Sequence, residues 1–490
     1  MAPAEAAHGL SKSRLISSLQ CERRLWLEVH RPDRAETSAT KEAVFALGNE
    51  VGDVARRIYG ADGGHLVPYD PGLTQAVAET RRLLAAGQTD PIFEATFAHR
   101  GVLVRVDVLL RESGRYRPVE VKASTSVKDV HIDDCAIQKW VLEHEGLDLS
   151  GISLARVDSS FVYAGDGRYD GLLVEEDVTE PVGKVESKVD GWVERAHQLL
   201  EEPEPQKDVG TQCSDPYDCA FYAYCEPTLG RYPVTGLGGN GQKAFDRMHS
   251  GLIDIRDVPE DDLTPKQKRI QRVTASGTPE LLPGAAEFEA SLPYPRYYLD
   301  FETARFAVPI WAGTRPYEQL PSQWSCHVED SPSALRHVDF VDLSGEPPMR
   351  RVAETLIDAL GTEGPILVYS RFEASILNDL ITRYPDLARE LQAVIDRLVD
   401  LLPVVRENYY HPDMLGSWSI KAVIPTLAPD LNYGSLDDVH DGLEAQTAYL
   451  EAISPDTPPD RKEALRGSLL EYCRYDTLAM VRLVECFRGG

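Results

Sequence analysis

Asp107 lies in the alternating stretch VLVRVDVLL, and Glu120 and Lys122 stand two apart in the next such stretch, YRPVEVKAS. Side chains two apart on a strand share a face, so two neighbouring strands can gather these three groups at one point. Two carboxylates there hold a hard divalent ion through oxygen, while an adjacent lysine orients or deprotonates the attacking water and stabilises charge developing on a phosphate. A second set starts with Asp300 and Glu302 in YYLDFET, again on one strand face, and ends with Tyr472 and Asp476 in EYCRYDT, one helical turn apart. Between them Glu373 falls where ILVYS runs into FEASILNDL, at a strand-to-helix corner. Carboxylates converging from three such segments can hold two metal ions about 4 Å apart, one activating water and one stabilising the leaving oxygen, with Tyr472 positioning the water. An acidic pair on a strand is also what a solvated sheet edge looks like, so both readings depend on convergence.

The cysteines offer a third kind of chemistry. Cys21 sits in LISSLQCERRLWLE, and Cys213, Cys219 and Cys225 follow at equal spacing in CSDPYDCAFYAYC. One ligand before and three after a long intervening segment would tie its ends together, constraining the unfolded chain strongly. Four thiolates suit either zinc or an iron-sulfur cluster. Cys135, Cys326, Cys473 and Cys486 show no partner pattern and read as packing residues.

The elements that must position these groups alternate between helix and strand, predicting an α/β protein. Helical periodicity covers 41 to 58 and 75 to 86, strands 102 to 110 and 116 to 124, a helix 132 to 145, strands within 152 to 165 and a helix 184 to 201. After a Gly- and Pro-edged stretch, strands are expected at 297 to 302, 337 to 343 and 366 to 370, with helices at 348 to 360, 373 to 383, 386 to 396 and 461 to 487. The expected division is a domain over 1–232 with the cysteine cluster, a helical connecting module over 233–293, and a second domain over 294–490. A chain of 490 residues accommodates that number of cores. The net charge of −28 argues against nonspecific coating of nucleic acid but leaves room for an acidic, metal-loaded site. No run of eighteen apolar residues and no apolar leader is present, so a cytoplasmic protein without membrane contact is expected.

Residues 11 to about 227 resemble the RecB-like branch of the PD-(D/E)XK nucleases, which includes the CRISPR-associated and AddAB-type exonucleases. Asp107, Glu120 and Lys122 match the D…E-x-K motif, Gln138 in AIQKWVLEH matches the start of the Q-x-x-x-Y motif, and Glu94 precedes the Asp strand. Leu142 stands where that Tyr is expected, and Glu50 or Gly52 occupies the neighbourhood of the usual histidine. The resemblance also implies a 4Fe-4S staple on Cys21, Cys213, Cys219 and Cys225. The second set resembles the DEDD, or DnaQ-like, 3'-5' exonucleases of the RNase H-like fold, with Asp300 and Glu302 as motif I, Glu373 where motif II has Asp, and Tyr472 with Asp476 as motif III. Asp400, in the segment between motifs II and III, would support the metal. Nearly the whole chain is similar to a bacterial family of uncharacterised fused nucleases. That implies a restriction-endonuclease-like fold followed by an RNase H-like one, Mg2+ or Mn2+ as cofactors, and DNA with free ends or single strands as substrate, in repair or in defence against foreign DNA. RNA trimming, or a nucleic-acid-binding scaffold with one working site, are the alternatives. No Walker-type phosphate loop is present, so a helicase would be a separate partner.

Overall fold

The computed structural model describes residues 9–36, 39–61, 63–70, 72–226, 229–239, 241–431, 439 and 442–488, without the side chains of 39–46. It is a mixed α/β structure with two principal sheets. By contact, the chain divides into two compact units, 1–227 with 306–317, and 228–305 with 318–490.

In the first unit the helices are α1 (Lys12–Gln20), α2 (Glu22–His30), α3 (Ala39–Tyr59), α4 (Leu73–Ala85), α5 (Asp129–His144), α6 (Thr179–Glu186) and α7 (Val189–Glu201). The strands are β1 (Ile92–His99), β2 (Val102–Glu112), β3 (Arg115–Lys122), β4 (Ser153–Val157) and β5 (Leu173–Asp177), hydrogen-bonded in that order. Along β2, Val102, Val104, Val106 and Val108 are fully buried. This is the period-2 apolar pattern that directs the intervening residues, Asp107 among them, to the opposite face. The β2–β3 ladder is regular up to Val108 opposite Val119. Beyond that pair the Asp107 carboxylate accepts the Val121 N–H at 2.7 Å, and the rest of β3 pairs with β4 on its other side. The strand Leu10–Ser11 adds in parallel beside Val102 and Leu103, and Ser11 caps α1 by accepting from Arg14 N. Lys12, the first residue of α1, is thereby held at the sheet. Helix α5 is buried over most of its surface, with Cys135, Ala136, Ile137, Val141 and Leu142 in the core.

Two expectations differ here. The segment 158–165 is irregular, because glycines with positive φ at 165 and 167 turn the chain and Tyr163 pairs with Gly313 and Thr314. The strand β1 was not expected.

In the second unit the strands are β6 (Arg296–Ala304), β7 (Leu320–Ser331), β8 (Ala334–Val341), β9 (Ile366–Val368) and β10 (Leu398–Asp400), in the order β8-β7-β6-β9-β10. The first two pairings are antiparallel and the last two parallel. The helices that bear on the site are α8 (Phe372–Arg383), α9 (Leu401–Asn408), α10 (Ile420–Leu427) and α11 (Pro459–Arg488), the last packed on β6 and β7. Residues 233–293 do not stand alone as a connecting module. Leu281 and Glu280 pair with Tyr409 and Tyr410, and Arg269 donates to the Arg406 carbonyl, so the segment folds as part of this unit. No helix among the described residues is long and apolar enough to cross a membrane.

Candidate functional sites

In the first unit the structure brings together Asp107, Glu120, Lys122 and Gln138, and adds two groups the sequence reading missed. Glu120 is buried, and its Oε1 accepts from Lys122 Nζ at 2.6 Å and from Lys12 Nζ at 2.9 Å. Its Oε2 accepts from Gln138 Nε2 at 2.5 Å. Both ammonium groups also reach Asp134, at 2.6 and 3.0 Å. Asp134 lies one helical turn before Gln138 on α5, an i, i+4 spacing that could have pointed to it. Lys12 is delivered from the other end of the unit by the short strand before α1, which no local pattern announces.

Burial alone would raise the Glu120 pKa, but Lys12 and Lys122 overcome it and hold that carboxyl well below its usual range. Burial and the Glu120 charge push Asp107 the other way, upward. Glu94 faces Asp107 between the register pairs Phe93–Val108 and Ala95–Val106, with a left-handed φ of 57°. Its carboxylate is paired with Arg105 at 3.3 Å and Arg56 at 3.6 Å, not with the Asp107 group. Leu142 is core, and Glu50 is exposed on α3.

In the second unit Asp300, Glu302, Glu373 and Asp476 interact electrostatically, and Asp400 with Glu373. The β6–β7 register sets Asp300 opposite Ser325 and Glu302 opposite Gln323. Asp400 ends β10 beside Val368 and caps α9 by accepting from Leu402 N at 2.9 Å. Glu373 is 4% exposed, and its Oε2 has no hydrogen-bond partner. The Tyr472 hydroxyl accepts from Lys421 Nζ at 3.0 Å. Burial and the neighbouring acids, Asp476 first, push Asp300 far up and Glu302 to about 8. Burial, with Asp400 contributing, raises Glu373 to about 7. Such a desolvated, like-charged set is relieved by a cation.

Cys473 is not a bystander in packing. Its Sγ lies 3.9 Å from Asp300 Oδ2, and ligand atoms of Asp300, Glu302 and Cys473 all fall within 4.8 Å of one another. Lys421 and Cys473 were the groups missed here. Cys473 lies inside the motif YCRYD, three residues before Asp476 on the same helix face, and that spacing was the available signal.

Cys21, at the junction of α1 and α2, lines one cavity with Cys213, Cys219 and Cys225. Gln20 Nε2 donates to the carbonyls of Gln212 and Tyr217, both at 2.6 Å, and Trp26 Nε1 to that of Glu202, latching the helix pair to the later segment.

Residues 297–419 match a family model described as a domain of unknown function, DUF2779. No curated protein and no solved structure matches the chain.

Proposed function

We propose that this chain is a metal-dependent DNA nuclease with two sites, a RecB-like PD-(D/E)XK site in a restriction-endonuclease-like unit and a DEDD-type exonuclease site in an RNase H-like unit. The observation that carries the reading is the gathering of Asp300, Glu302, Glu373 and Asp476, from a central strand, a helix start and a late helix, into one partly buried, like-charged group. The β8-β7-β6-β9-β10 order, with the first acids on the central strand, supports the RNase H-like assignment. A bound Mg2+ or Mn2+ would supply a Lewis acid and a water of lowered pKa. Asp300, Glu302, Glu373 and Asp476 would hold the ions, with Asp400 behind Glu373, and Tyr472, fixed by Lys421, would orient the attacking water. In the first unit Asp107 and Glu120 would hold the ion, Gln138 fixes the Glu120 carboxylate, and Lys122, now bound to Glu120, would be the ammonium that meets a scissile phosphate. Cys21, Cys213, Cys219 and Cys225 would carry a 4Fe-4S cluster that closes the first unit.

The test is cleavage of end-labelled single- and double-stranded DNA and of RNA by anaerobically purified protein with Mg2+ or Mn2+, beside Asp107→Ala and Asp300→Ala. Cleavage of DNA lost in either variant supports the reading, and preference for RNA replaces DNA by RNA processing. Absence of cleavage of every substrate overturns it in favour of a binding scaffold.

A further inference from the structure

Three cysteines of the second unit are wholly or partly buried, and their sulfurs have different company. Cys326 Sγ points to the His327 carbonyl at 3.4 Å and Cys486 Sγ to the Leu427 carbonyl at 3.9 Å, as thiols filling a core do. Cys473 Sγ points instead to the Asp300 carboxylate, with Glu302 in reach. A methyl group would fill such a space without facing two half-buried acids. The phase of α11 is pinned one turn further on. The Thr477 hydroxyl is hydrogen-bonded to His327 Nδ1 at 2.8 Å and to Ser325 Oγ at 3.0 Å, and Ser325 is the register partner of Asp300. Cys473 and Asp476 are therefore held toward β6 together. An independent sign that this space takes a ligand comes from α8, where the buried Glu373 Oε2 has no hydrogen-bond partner and its carboxylate acts on the charge of Asp300.

We infer that Cys473 supplies a sulfur ligand to a cation beside Asp300 and Glu302, so that one position of the second site takes a thiophilic first-row ion, Zn2+, Fe2+ or Co2+, ahead of Mg2+. This rests on the proposal that the Asp300 group holds a cation at all. Oxygen-only sets suit Mg2+ and Mn2+, whereas a thiolate in the set shifts preference toward zinc and iron. On binding, the Cys473 S–H bond breaks, its proton passes to the buffer, and the sulfur lone pair forms the bond to the metal. No electron changes hands.

The experiment titrates the intact chain anaerobically with Co2+ and follows the thiolate-to-cobalt charge-transfer absorption in the near ultraviolet, together with proton release in weak buffer. Wild type is compared with Cys473→Ser, Cys473→Ala and Asp300→Asn. Thiols at the cysteine staple contribute equally to all four proteins, so difference spectra isolate Cys473. The expected result is loss of one thiolate's share of the band in both cysteine variants, with Co2+ and Zn2+ affinity falling roughly tenfold to a hundredfold and Mg2+ affinity unchanged. Using two cysteine variants keeps the comparison open if one fails to fold, as circular dichroism reports. Spectra and affinities unaltered by both cysteine variants, with binding lost in Asp300→Asn, overturn the sulfur ligand and leave the nuclease reading standing. Binding of every ion unaltered in Asp300→Asn as well overturns both.

Discussion

Around Glu120 two ammonium groups, from Lys12 and Lys122, sit between two carboxylates, whereas around Asp300 four carboxylates share one pocket and Lys421 donates to the Tyr472 hydroxyl. The first region carries counter-charge for Glu120 and Asp134, and only Asp107 is left raised by burial and the Glu120 charge. The second stores repulsion that only a proton or a metal ion removes. One chain thus shows both ways of burying acids: pairing them, which makes each partner dependent on the other, or leaving them poised for an ion at the cost of stability without it.

That contrast is most directly broken by Asp300→Ala. Divalent-ion binding at the second site, measured by calorimetry, is expected to weaken roughly a hundredfold or more, because a lost ligand removes several kcal/mol. Asp107→Ala should leave that site's binding unchanged.

A smaller effect separates the two regions by stability. Glu120→Gln leaves Lys12 and Lys122 sharing Asp134 alone, and urea unfolding should show a loss of about 3 kcal/mol. Asp300→Asn in metal-free protein should instead change stability by under about 1 kcal/mol, since burial and the Asp476 charge already favour the neutral carboxyl and the amide replaces one neutral group by another. Equal losses for the two variants would erase the distinction.

The pH dependence sharpens it further. Glu302 and Glu373 have folded pKa values of about 8 and about 7, above the unfolded value near 4.3. The folded state then binds more protons, so their contribution is full below about pH 4 and is lost as pH rises toward 8. Glu120 is depressed, so its contribution is present above about pH 4 and lost in acid. Metal-free protein should therefore melt lower at pH 8 than at pH 6 by several degrees, roughly 2 kcal/mol, and saturating divalent ion should flatten that slope. A somewhat smaller effect is expected for Lys12→Met, which removes one of two ammonium groups. It should cost about 1 to 2 kcal/mol, less than breaking a buried pair outright because Lys122 still meets both Glu120 and Asp134, and strengthen ion binding at the first site by up to about tenfold, read by the same calorimetry.

The mixed helix and strand character was legible because most elements carry their period openly, as the valines of β2 do. β7 was not, since LPSQWSCHVEDS is polar where a strand is expected to be apolar. Yet Ser322, Gln323, Ser325, His327 and Glu329 are all buried, and their partners lie on α11 and β6. Such a strand is stabilised by specific hydrogen bonds that no alternation displays. At the sites, Asp107, Glu120 and Lys122, or Asp300 and Glu302, could be read because a strand's period places them. Lys12 and Lys421 could not, because each reaches its site only through tertiary packing. Cys473 stands inside the motif and reads as packing for want of a second cysteine; it is buried, and the groups beside its sulfur are carboxylates.

Residues 306–317 belong with the first unit although they follow the first strand of the second. Ala307 and Val308 share a core with Val51, Val54, Val157 and Leu172, and Tyr317 covers it. A ribosome must therefore emit β6 before that core can be sealed, and a gene truncated after residue 232 would encode a unit born with an open apolar seam. A cut between residues 232 and 294 would leave 306–317 on the wrong side of it.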